Sequence, residues 1–97
     1  MSFFSSPADK YSEAEHPLDE RHIRLLISHE HIRTLETHEQ AKLIADTIVA
    51  RRHGDGKISM RQIYESVEHL VLTNQISKFD RDGVMRVMEE YFHDHFT

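Results

Sequence analysis
The pattern of apolar positions divides the chain at about residue 17. Up to His16, polar and apolar residues mix without a period, so residues 1–16 read as a flexible polar arm. Its one apolar feature is the Phe3-Phe4 pair, either a loose end against the domain's own surface or a short docking motif. From residue 17 to 97 helical spacing takes over, with no alternating runs bounded by hairpin turns. Pro17 suits a first helical turn, where its missing N–H is not needed. Beyond it Leu18, Leu25, Leu26, Ile32 and Leu35 share one side, with His22 and His29 on the same stripe. Ile23 and Ile27 form a second stripe off that face. The expectation is a helix that buries the first stripe and leaves the second uncovered.

Three more helices follow. Thr37 and Gln40 make a capping box, in which the hydroxyl takes a first-turn N–H and the amide reaches back. Ala41, Ile44, Ala45 and Ile48 then give an i, i+3, i+4, i+7 face. Arg51, Arg52 and His53 sit where cations oppose the negative end of the helix dipole, and Gly54 supplies a left-handed stop. Ser59 with Gln62 repeats the box, Ile58 and Ile63 staple it, and Ile63, Val67, Leu70 and Val71 form the third face. The fourth helix is expected from Asp80, with Phe79 in the preceding turn stapled to Val84. Its face is Val84, Met88, Tyr91 and Phe92. The fold class is all-α: a small bundle of about four helices, one domain over residues 17–97, behind a dispensable arm.

Composition narrows the class. Ninety-seven residues, 38% hydrophobic and 30% charged, make one small globular domain with a large solvated surface. Without cysteine there is no disulfide framework, thiolate metal site or cysteine nucleophile. The start lacks the basic region and apolar run of a signal peptide, and no stretch approaches membrane-spanning length. A soluble, cytoplasmic protein is expected. The net charge of −5 is uneven: residues 51–61 hold Arg51, Arg52, Lys57 and Arg61 against Asp55 alone.

Candidate chemistry is sparse. "RRHGDGKISMRQ" resembles the calcium loop of an EF-hand in turn chemistry, with Gly56 at loop position six and Ile58 at eight. Its ligand positions read Arg51, His53, Asp55 and Gln62, so coordination fails. "KFDRDGVMRVMEE" shows the reverse: Asp80, Asp82 and Glu89 fall on ligand positions, but Lys78 stands first and Met85 eighth. Nine histidines are many for this length, yet none are spaced as a metal site on one helix face, and "HEH" is not H-E-x-x-H. Crowded histidines do suggest proton sensitivity. No serine sits in a nucleophile elbow, no glycine-rich phosphate loop exists, and the carboxylates read as solvated faces. Neither an enzyme nor a bound cofactor or metal is expected.

The function expected is a non-enzymatic helical interaction module, a regulator, adaptor or inhibitor that binds a protein partner or a second copy of itself. Its support is apolar surface in excess of a four-helix core: Ile23, Ile27, Leu43, Leu72, Phe92 and Phe96. Ile23, Ile27, His31, Phe92 and Phe96 are the candidate contact residues. One alternative is a helix-turn-helix nucleic-acid binder using Arg51, Arg52, Lys57 and Arg61. Against it stand Glu65 and Glu68 on the supposed reading helix and the acidic net charge. A further alternative is divalent metal binding through the EF-hand-like loops or the histidines.

Overall fold
A computed structural model describes residues 7–96. The elements are a 3₁₀ turn (Pro7–Lys10), β1 (Glu15–Pro17), α1 (Glu20–Leu26), α2 (His38–Arg51), β2 (Lys57–Ser59), α3 (Met60–Leu72) and α4 (Lys78–Phe96). The expected helical fold is present, with a small antiparallel ribbon added. In that ribbon Glu15 pairs with Ser59, His16 with Ile58 and Pro17 with Lys57.

Both capping boxes form. Thr37 Oγ1 accepts the Gln40 N–H at 3.1 Å, and Ser59 Oγ accepts that of Gln62 at 3.1 Å. Ser59 is almost fully buried, and its hydroxyl caps α3 by accepting that one N–H. The core lies where α2, α3 and α4 meet, with Ile44, Ile48, Ile58, Ile63, Val67, Val84 and Met88 fully buried. Each such side chain contributes about 1.5–3 kcal/mol relative to exposure. The staple pair Ile58 and Ile63 is part of this core.

Three expectations need correction. The first helix starts at Glu20, capped by Asp19, rather than at Pro17, which lies in β1, and it stops at Leu26 rather than running to residue 35. Ile27 leaves helical geometry at ψ 81°, and the chain turns through residues 28–35 with Ile32 N–H bonded to Ser28 O at 2.8 Å. Along α1 and its C-cap the buried face is the second stripe: Ile23 and Ile27 are buried, and Leu25 is 63% exposed.

α4 begins two residues before Asp80. Ser77 and Asp80 form a third reciprocal box, Ser77 Oγ accepting the Asp80 N–H at 3.1 Å and Asp80 Oδ2 accepting that of Ser77 at 3.0 Å. Phe79 therefore lies inside the helix and is 73% exposed, rather than stapled beneath it.

Residues 7–16 are also fastened to the domain. Ala8 is buried, Tyr11 stacks on Tyr64 at 5.1 Å, and Arg61 Nε donates to Tyr11 O at 3.2 Å. His53 Nε2 lies 2.7 Å from Glu15 Oε2, clamping β1 to the turn before β2. The boundary expected at residue 16 is thus no break in packing. The Phe3-Phe4 pair lies outside the described residues.

Candidate functional site
An acid-rimmed concavity lies between the turn after α1 and the C-terminal half of α4. It is a groove of about 340 Å³. On α4 the spacing Val87, Glu90, Tyr91, Asp94 is i, i+3, i+4, i+7, one stripe beside the buried Val84, Met88 and Phe92. Val87 and Tyr91 form the floor with Leu26. Glu90 and Asp94 form a rim that Glu30 continues across the groove.

Two contacts fix the opposing wall. Arg86 Nη2 donates to His31 O at 2.9 Å, stitching the turn to α4. Below it, a Cβ on Gly83 would stand 2.7 Å from Ile32 Cγ2, so only glycine lets helix and turn approach this closely. His31 itself is held by its ring Nδ1, 3.0 Å from Ser28 Oγ.

The electrostatics are one-sided. Arg86 is the sole Lys or Arg lining the groove, and it also lies 3.8 Å from Glu90. Among the described residues Glu30 and Asp94 have no ion-pair partner. After Arg86 the chain contains Glu89, Glu90 and Asp94 but no Lys or Arg. These acids occupy the C-terminal half of α4, adding to the negative end of its dipole instead of opposing it. Burial, and then the nearby Asp19 carboxylate, push the Tyr91 hydroxyl above its ordinary pKa.

At the end of α4, Phe96 stacks on His16 at 4.4 Å and His95 stacks on Tyr91 at 4.0 Å. Phe92 is buried beneath them and Phe96 half-buried. Of the expected contact residues, then, His31 lines the groove and Phe96 is partly accessible. Ile23, Ile27 and Phe92 are core residues and cannot serve as exposed anchors. Leu72 is 72% exposed, as its place off the third stripe implied.

A larger cleft of about 890 Å³ runs between residues 27–38 and α2, floored by Ile27, Leu35, Ala41 and Ala45. Its lining sets Arg24 and Lys42 against Glu36 and Glu39, and both cations reach out to Asp46. Arg24 Nη2 meets Asp46 Oδ1 at 2.8 Å and Lys42 Nζ meets Asp46 Oδ2 at 2.7 Å. Those hydrogen bonds, that from Lys42 first, hold the Asp46 carboxyl below its ordinary range.

Part of the basic stretch is engaged by the fold. Arg52 Nη1 donates to Leu18 O at 3.0 Å, Arg61 binds Tyr11 O and lies 3.4 Å from Glu13, and Arg51 lies 3.9 Å from Glu65. Lys57 is exposed on β2. Arg52 and Arg61 thus bond within the chain, whereas Arg51 and Lys57 are exposed.

The "HGDGK" turn closes on itself. His53 N–H bonds Lys57 O at 3.0 Å, Lys57 N–H bonds His53 O at 2.9 Å, and Gly54 and Gly56 take φ of 56° and 82°. The second EF-hand-like stretch is helical from Lys78 onward and has no loop at all. Among the described residues no group of three or more His, Cys, Asp or Glu is placed to hold a metal ion, and no helix is long and apolar enough to cross a membrane. Compared with known proteins, the chain matches no family, no curated protein and no solved structure.

Sequence reasoning missed Glu30, Glu90, Tyr91 and Asp94 as a set. The available signal was the run of acids after Arg86 at the wrong end of a helix. Its partner wall is the turn after Leu26, which lies within a stripe whose spacing predicts helix.

Proposed function
We propose that this protein is a non-enzymatic helical module that works by binding another protein. The observation that carries the reading is the surface position of Leu25, Leu72 and Phe79, each more than 60% exposed. Leu72 ends α3 and Phe79 lies in the first turn of α4, so they flank one connection. Single exposed apolar residues are ordinary, but two large ones flanking one short connection suit a contact surface. Aromatic anchors of this kind dominate binding energy where a partner covers them.

The test compares parent protein with a Leu72→Ser, Phe79→Ser double variant in affinity capture from the source cells and in sedimentation equilibrium. Both substitutions lie on the surface and should shift stability by less than about 0.5 kcal/mol each. The reading expects a stoichiometric partner, or a dimer, that the parent holds and the variant loses. A monomeric parent with no variant-sensitive partner contradicts it.

A further inference from the structure
We propose that the groove between the 26–31 turn and α4 receives a basic amphipathic segment of a partner protein, its Lys or Arg side chains on the acidic rim and its apolar side chains on the floor. This rests on the interaction reading above and names the chemistry of one partner surface.

Charge complementarity supplies the occupant. Glu30, Glu90 and Asp94 ring a floor of Leu26, Val87 and Tyr91, and Arg86 is already engaged by His31 O and Glu90. A neutral or acidic segment would place apolar groups on this floor but leave Glu30 and Asp94 facing it unpaired. A basic one pairs them and also opposes the negative pole of α4. The rim is poorly suited to stability for its own sake. Acids in the last turns of a helix oppose the dipole preference, and the basic residues in the last turn of α4 are only His93 and His95. Asp94, an acid outside any ion pair near the negative pole of α4 and lining the groove, is explained by a cationic ligand.

The geometry is built rather than incidental. Arg86 and the Gly83–Ile32 approach fix the distance between the walls, so the groove is present before any ligand arrives. Preorganisation of that kind reduces the ordering cost of binding.

The test uses the full chain and a synthetic amphipathic leucine–lysine peptide. Controls are a scrambled peptide of the same composition and a leucine–glutamate counterpart. Binding is followed by calorimetry at low and high salt, and the site by amide chemical shifts. The expected result is binding of the patterned basic peptide alone, with shifts centred on Leu26, Glu30, Val87, Tyr91 and Asp94, weakening as salt rises. A Glu90→Gln, Asp94→Asn variant should bind at least about fivefold more weakly while melting at the same temperature or higher. Absence of binding, equal binding of the scrambled peptide, shifts elsewhere, or undiminished binding by the variant would each overturn the groove assignment. None of these outcomes touches the Leu72–Phe79 capture experiment, so the two proposals fail separately.

Discussion

Gly83→Ala sets two effects of opposite sign against each other. Gly83 lies within α4, where alanine is favoured over glycine by about 1 kcal/mol through backbone entropy. The new methyl, however, would stand 2.7 Å from Ile32 Cγ2, 3.6 Å from its Cβ and 3.7 Å from its Cγ1. Ile32 is 1% exposed, and its β-branch allows little rotation, so it cannot retreat cheaply. Forcing an extra methyl into such a contact costs about 1–3 kcal/mol. The clash should therefore match or exceed the propensity gain, leaving the variant about 0–2 kcal/mol less stable. The background Ile32→Ala removes Cγ2 at a cost of about 2–5 kcal/mol for the cavity. There, Gly83→Ala fills space instead of competing for it and should stabilise. Urea denaturation followed by circular dichroism measures all four corners of the cycle. A Gly83→Ala variant more stable than its parent, or equal effects in both backgrounds, would refute the close approach of α4 to the 28–35 turn.

Ile23→Ala and Ile27→Ala should each cost about 2–5 kcal/mol in urea denaturation, whereas Leu25→Ala should stay within about 0.5 kcal/mol; the reverse order would restore the uninterrupted first helix. Deleting residues 1–12 should lower stability by at least about 1 kcal/mol, because the Tyr11–Tyr64 stack and the Arg61 bond to Tyr11 O are lost. An unchanged urea midpoint would show that the segment is a passive arm. The His22 backbone N–H donates to Asp19 Oδ1 at 2.7 Å and, with the His22 ring, holds this carboxyl below its ordinary value of 3.8. Asp19 therefore contributes its stability above that value and loses it as pH falls through the lowered one. The gap in urea midpoint between parent and Asp19→Asn should narrow between about pH 5 and pH 2, and a constant gap contradicts this. Millimolar calcium should leave the melting temperature of metal-free protein unchanged, and a rise of several degrees would contradict the reading of "HGDGKIS" as a turn and cap.

α2 and α3 were legible because capping box and periodicity agreed within each segment, although α2 ends at an extended Arg52, before the expected Gly54 stop. The first helix was not. No glycine or proline interrupts residues 18–36, and Ile23, Ile27, Ile32 and Leu35 are all buried, so the turn at 28–31 hides inside a plausible apolar pattern. What decides it is packing of Ile32 against Gly83, a contact 51 residues away that periodicity cannot register. α4 carried a usable signal in Ser77-x-x-Asp80. Assigning Phe79 to a staple obscured it, because burial of a large aromatic looked more favourable than its exposure. The ribbon escaped notice since three-residue strands are too short to show alternation. The groove needed the misplaced turn and α4 together, and so only its acidic half was readable from the chain.

The central claim is that the protein acts through defined surfaces on another protein, and site-specific photo-cross-linking in the source cells tests it most directly. A photoreactive residue would replace Leu25, Leu72, Phe79, Glu30 or Asp94 in turn, with the exposed Ala50 on α2 as a control. The account predicts a discrete protein adduct from Leu72 or Phe79, one from Glu30 or Asp94 that a leucine–lysine peptide competes away, and none from Ala50. Adducts that are absent, or equally abundant from every position including Ala50, would contradict it.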